Sequence, residues 1–188
     1  IGFQRNDINE TLKIIIEGLE DSNLEQNGNI LQAEYISCEL MIYSSEKVLS
    51  CFFLVNYPVS IYTHSFRPDN NFSIIEGLSI FHKINSPAKS VKTASNLEKK
   101  KTFISYAIFY DDGSEESFCV GFDIEQKKFT NDNSYGLDCD ASRNDASDVT
   151  YFESTNQFLV YCRDFMGKIK LSIYDNKFNE IFNGVFYK

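Results

Sequence analysis

Three stretches of strand-forming residues recur along this chain at a near-constant interval, and such recurrence restricts a chain to repeat architectures. The first runs Leu40-Met41-Ile42-Tyr43, Val48-Leu49-Ser50-Cys51, then Ile61-Tyr62 and Phe66. The second runs Val149-Thr150-Tyr151-Phe152, Leu159-Val160-Tyr161-Cys162, then Ile173-Tyr174 and Phe178, so that Cys51 falls on Cys162. A weaker copy lies between them. Phe103 to Tyr110 matches Phe158 to Phe165, and Ser117 to Asp123 parallels Lys170 to Asp175. Neighbouring copies are then separated by about 55 residues, close to the ~50 of a kelch-type propeller blade.

The expected fold is all-β: a β-propeller-like repeat of short antiparallel strands, forming a partial ring of about three blades. Seventeen Phe and eleven Tyr suit pleated, half-buried surfaces. The reading divides the chain into an N-terminal remnant or partial blade (1–32), a first blade-like repeat (33–85), a linker (86–101), a second repeat (102–138) and a third (139–188). Asn9 to Leu24 fits a short N-terminal helix through Leu12, Ile15, Ile16 and Leu19, while Leu12 to Glu17 within it also fits a strand. The chain opens at Ile1, and three copies fall short of the 4–8 blades that propellers typically use. Further blades are therefore expected, in the parent chain or in another chain that completes the ring.

A net charge of −9 and a pI near 4.7 would repel phosphate backbones, so nucleic acid is excluded as a partner. The one basic run, Lys99-Lys100-Lys101, reads as a solvated loop between blades. No apolar run approaches the ~20 residues that span a bilayer, so no transmembrane segment is expected.

The cysteines carry more information. A hairpin turning at Ser44-Ser45-Glu46-Lys47 places Cys38 across the ladder from Cys51, within disulfide reach. Cys162 takes the place of Cys51 in the third repeat. Its partner by analogy is Cys139, displaced by the polar insert Asp140 to Asp148. Cys119 is left over and is expected to pair with a cysteine in another chain or an unseen part of the protein. The sequons Asn9-Glu10-Thr11 and Asn71-Phe72-Ser73 mark Asn9 and Asn71 for glycosylation. Paired Cys and sequons together point to a secreted or cell-surface protein. The alternative is an intracellular scaffold with all five thiols free.

No chemistry-bearing motif stands out, and no cofactor, metal or catalytic residue is assigned. Only His64 and His82 are available as imidazoles and no C-x-x-C occurs, which argues against zinc. Both His are read as surface or loop residues near strand ends. Asp138 to Asp145 alternates oxygen ligands as calcium loops do, but Arg143 and Val149 stand where such a loop needs Gly and a bidentate acid. Asp111-Asp112-Gly113 reads as a hairpin turn, as do Tyr57-Pro58, Met166-Gly167 and Asn183-Gly184.

The short aromatic strands, the Cys in the second strand and the pairs Cys38/Cys51 and Cys139/Cys162 resemble the cysteine-rich β-propellers of protist surface proteins. The Asn-, Ile-, Lys- and Tyr-heavy usage is similar to that of an AT-rich protist genome. The likeness covers most of residues 33–188. It implies a non-enzymatic protein that acts by binding other proteins in adhesion, invasion or assembly, among them the remainder of the same propeller. The competing reading is a propeller-type glycoside hydrolase or sialidase-like enzyme. It would need Asp123, Asp164 and Asp175 to converge from different blades.

Overall fold

A two-residue reversal sets the geometry of the first sheet. Ser44 and Ser45 both adopt positive φ, 49° and 68°, the left-handed pair of a type I′ turn whose twist suits a tight hairpin. Tyr43 therefore faces Glu46, and the register carries Cys38 to Cys51. In the computed structural model, residues 33–56, 59–68, 73–75, 77–84, 86–110, 115–130, 147–163 and 166–186 are described. They form an all-β structure of three antiparallel sheets. The N-terminal stretch 1–32, with its open helix-or-strand reading, lies outside the described residues.

The first sheet is a meander of β1 (Ala33–Tyr43), β2 (Glu46–Asn56) and β3 (Val59–Arg67). Its fourth position is shared by β4 (Ser73–Ile74) and β5 (Ile80–Lys83), which pair with opposite ends of β3. The second sheet runs β6 (Ala88–Ser95), β7 (Lys101–Phe109), β8 (Glu115–Asp123) and β9 (Lys128–Phe129). The third runs β10 (Ser147–Phe152), β11 (Gln157–Arg163), β12 (Ile169–Asp175) and β13 (Glu180–Phe186). Each is an up-and-down meander, as a blade is.

The stretch 86–101, expected to be a linker, holds β6 and the β6–β7 turn. Small and polar side chains disguised β6, which is the first strand of the second sheet and pairs along its length with β7. The middle copy also shifts by one residue against its sequence match. Phe103 and Phe158 are not equivalent: they lie on facing sides of neighbouring sheets, with ring centroids 5.5 Å apart. A one-residue slip in a strand exchanges its two faces, so similarity of residue type alone misassigned the side. Phe178 departs likewise from its match to Phe66, sitting in a turn beyond β12 rather than in a strand. Asn183-Gly184 is strand rather than turn. Gly184 lies opposite Leu171, and a Cβ there would meet the Phe182 ring at 2.5 Å.

Two seams hold the sheets together. Between the first and second sheets, Met41, Phe52, Leu54 and Ile61 pack on Ile104, Tyr106, Val120 and Phe122. Phe52 and Phe122 meet edge to face at 5.4 Å, a favoured aromatic geometry. Between the second and third, Phe103 and Cys119 face Val149, Phe158, Val160, Tyr174 and Phe178. The second sheet thus turns one side back toward the first and the other forward to the third.

Candidate functional site

The basic run illustrates how these seams are tied. Lys99-Lys100-Lys101 is no solvated loop. The Lys99 carbonyl accepts the amide of Ile42 on β1 at 2.7 Å, and Lys100 pairs with Glu125 of the β8–β9 turn at 2.7 Å. Lys101 Nζ donates to the Asn176 carbonyl of the third sheet at 2.8 Å. Asn96, fully buried, organises the turn: its Oδ1 accepts the amides of Lys100 and Lys101 at 2.9 and 3.0 Å. Three adjacent lysines therefore tie three different elements, Lys99 through its carbonyl and the other two through their ammonium groups.

A partly buried carboxylate that sequence reasoning passed over lies where β1 meets β6. Thr93 and Ser95 hydroxyls donate to Glu39 at 3.0 and 2.9 Å, and Ser37 Oγ lies 2.7 Å from Thr93 Oγ1. Burial pushes the Glu39 carboxyl above its ordinary value, against the opposing pull of these hydroxyls and of Lys99. A raised carboxyl favours folding below its unfolded pKa of about 4.5. That advantage is lost as pH rises through the folded value. Glu39→Gln should therefore gain in urea midpoint relative to the parent as pH rises from 4 to 7. A gap that stays constant over that range would dismiss the assignment.

At the other side of the first sheet, Cys38 and Cys51 form a disulfide with Cα atoms 4.1 Å apart. Cys51 is buried and Cys38 exposed. His64 sits directly across from Cys51 in β3. The expectation of a surface imidazole is overturned: His64 is a strand residue at 3% exposure, because β3 is buried on both faces. Desolvation lowers its pKa to about 4. Its Nδ1 lies 2.8 Å from Ser79 Oγ, but an imidazole held so far below neutrality makes a poor general base. His82 is likewise a strand residue, in β5, against Phe129 at 5.2 Å.

Cys162 is disulfide-bonded; its expected partner Cys139 lies outside the described residues, as do Asn9, Asn71 and the calcium-like stretch 138–145. The expectation for Cys119 is corrected. It is a free thiol, buried between the second and third sheets at 3% exposure, with its pKa pushed up to about 12 by burial. A thiol sealed in a core cannot meet another chain.

The carboxylates proposed for hydrolysis serve their own turns. Asp123 Oδ1 accepts the Gln126 amide at 3.0 Å. Asp175 accepts the amides of Lys177 and Asn179 at 2.7 and 2.9 Å. Partial burial opposes ionisation of Asp175, yet hydrogen bonds from Asn179 and Lys177 hold its pKa below the usual value. Asp164 lies outside the described residues.

The feature with the clearest capacity for function is the forward side of the third sheet. Alternation in β10 to β13 places Val149, Phe158, Val160 and Tyr174 toward the second sheet. The residues between them form apolar rows on the opposite side. One row is Leu159, Ile173 and Phe182; the next is Tyr161, Leu171 and Gly184. Phe152, Tyr161, Ile169 and Phe182 are 49, 39, 54 and 44% exposed. In the first two sheets the corresponding side is buried under the next sheet. Sequence carried the signal in β11, whose residues are apolar on both sides, and in the Ile169, Leu171, Ile173 alternation of β12, but not which side lay open.

Compared with known proteins, the chain matches no family model, and neither a curated protein nor a solved structure shows significant similarity to it. No helix among the described residues is long and apolar enough to cross a membrane.

Proposed function

We propose that this chain is a non-enzymatic module of a larger propeller, secreted or displayed at a cell surface, that works by binding other proteins. The observation that carries the reading is the open apolar side of the third sheet. Contiguous exposed apolar surface on a folded domain marks an interaction site, and exposed Tyr and Phe are favoured anchors. The Cys38–Cys51 disulfide supports an oxidising compartment, since such bonds are rare in the cytosol. A glycosidase is less well supported, because Asp123 and Asp175 are occupied in capping turns.

Peptide mapping of non-reduced protein from its native source tests the compartment. The expected products are Cys38 linked to Cys51, Cys139 linked to Cys162, and sugar on Asn9 or Asn71. Cys119 should react with alkylating reagent only after denaturation. Five free thiols and bare asparagines would replace this reading with an intracellular scaffold.

A further inference from the structure

The first seam shows in detail what the open side of the third sheet is built to receive. There the forward side of one sheet, carrying Val48, Phe52, Leu54 and Ile61, is covered by the backward side of the next. Beside these residues the first strand supplies a carboxylate: Glu39, across from Ser50 in the register. It accepts hydroxyls from Thr93 and Ser95, two positions apart on the next sheet's first strand.

The third sheet repeats this arrangement. Val48 to Cys51 corresponds to Leu159 to Cys162, so Ser50 corresponds to Tyr161. The residue paired with Tyr161 on the first strand is Asp148, which stands where Glu39 stands. Its Oδ2 accepts the Tyr161 hydroxyl at 3.1 Å, and its side chain is exposed. The apolar rows and the carboxylate are both present, and among the described residues no sheet covers them.

A second copy of this chain is poorly suited to cover it head to tail. The backward sides of the second and third sheets are buried in the two seams. The centre of the first sheet's backward side is closed, with Cys51, Phe53 and Phe66 at 0, 4 and 2% exposure, and its exposed apolar residues, Leu40 and Phe81, stand apart on the edge strands β1 and β5.

We infer that the forward side of the third sheet seats an antiparallel β-sheet of the same repeat from a partner protein, its first strand alongside β10 and carrying Ser or Thr at two alternate positions opposite Asp148. The inference rests on the protein-binding reading above and specifies the partner's surface. Its apolar contacts are aromatic and β-branched, as Ile104, Tyr106, Val120 and Phe122 are at the first seam.

The test is hydroxyl-radical footprinting of the native assembly, purified through a tag on this chain, against the isolated 188-residue chain. Phe152, Tyr161 and Phe182 should be oxidised at least about tenfold less in the assembly. Met166 and Leu97, exposed at 73 and 59%, should label equally in both. Cross-links from Lys168, next to Ile169, should reach another protein, at a strand with hydroxyl residues two apart. Ile169→Lys, on an exposed position, should abolish the protection while leaving the thermal midpoint of the isolated chain unchanged. Equal labelling of the three aromatics in assembly and isolated chain overturns the inference. So do cross-links confined to the same polypeptide or to a second copy. Oxidised, glycosylated protein with unprotected aromatics would sink this inference alone and leave the extracellular reading standing.

Discussion

Phe158→Ala should remove about 3–5 kcal/mol of stability, the range for deleting a fully buried aromatic ring. Phe158 has no exposed surface and is the centre of the second seam. Its ring lies 5.5 Å from Phe103, 5.0 Å from Tyr151 and 5.6 Å from Phe178. Phe178 cannot move in to fill the space. It occupies a turn with φ of 67° and rests on Gly121, where an added Cβ would lie 2.5 Å from its ring. A cavity that cannot collapse carries the full cost. Phe152→Ala, on the open side of the same sheet, should change stability by no more than about 0.5 kcal/mol. Urea unfolding of both variants decides the matter. A loss below about 1 kcal/mol for Phe158→Ala would mean that the second seam is not packed as described.

Acidification should destabilise the fold through His64. In the folded chain its pKa falls from 6.5 to about 4, so the unfolded chain binds the extra proton between those values. The contribution is complete above about 6.5 and is lost as pH falls toward 4. At 1.36 kcal/mol per pKa unit it amounts to about 3 kcal/mol. Glu39 acts in the opposite sense just above 4.5, which is why the comparison must be with a variant. The stability of His64→Gln should lack this component, so the difference between parent and variant should shrink or reverse from pH 7 to pH 4. Parallel curves over that range would show that His64 is protonated in the fold or open to water.

Much of this architecture was legible in the residues. The hairpin register at Cys38 and Cys51 followed from a short turn between alternating runs, because antiparallel pairing is fixed once its turn is placed. The recurrence of Cys51 at Cys162 correctly matched second strand to second strand. What escaped was of two kinds. β6, Ala-Lys-Ser-Val-Lys-Thr-Ala-Ser, lacks the aromatic signature of the other strands. It is a strand because Thr93 and Ser95 bond Glu39 and because β7 offers it a ladder. The roles of Glu39, Lys99 and Lys101 were invisible, since each partner lies in another sheet, and Lys100 meets Glu125 from a separate turn of its own sheet.

The amino-acid sequence alone determined the strand-rich class, the near-constant interval and the pairing of Cys38 with Cys51. These depend on local alternation and on turns a few residues long. Tertiary structure decided which side of each strand is core, that Cys119 is sealed and His64 uncharged, and that one apolar side of the third sheet stays open. A strand's two sides are equivalent until a neighbouring sheet covers one of them, and that neighbour comes from residues distant in the chain.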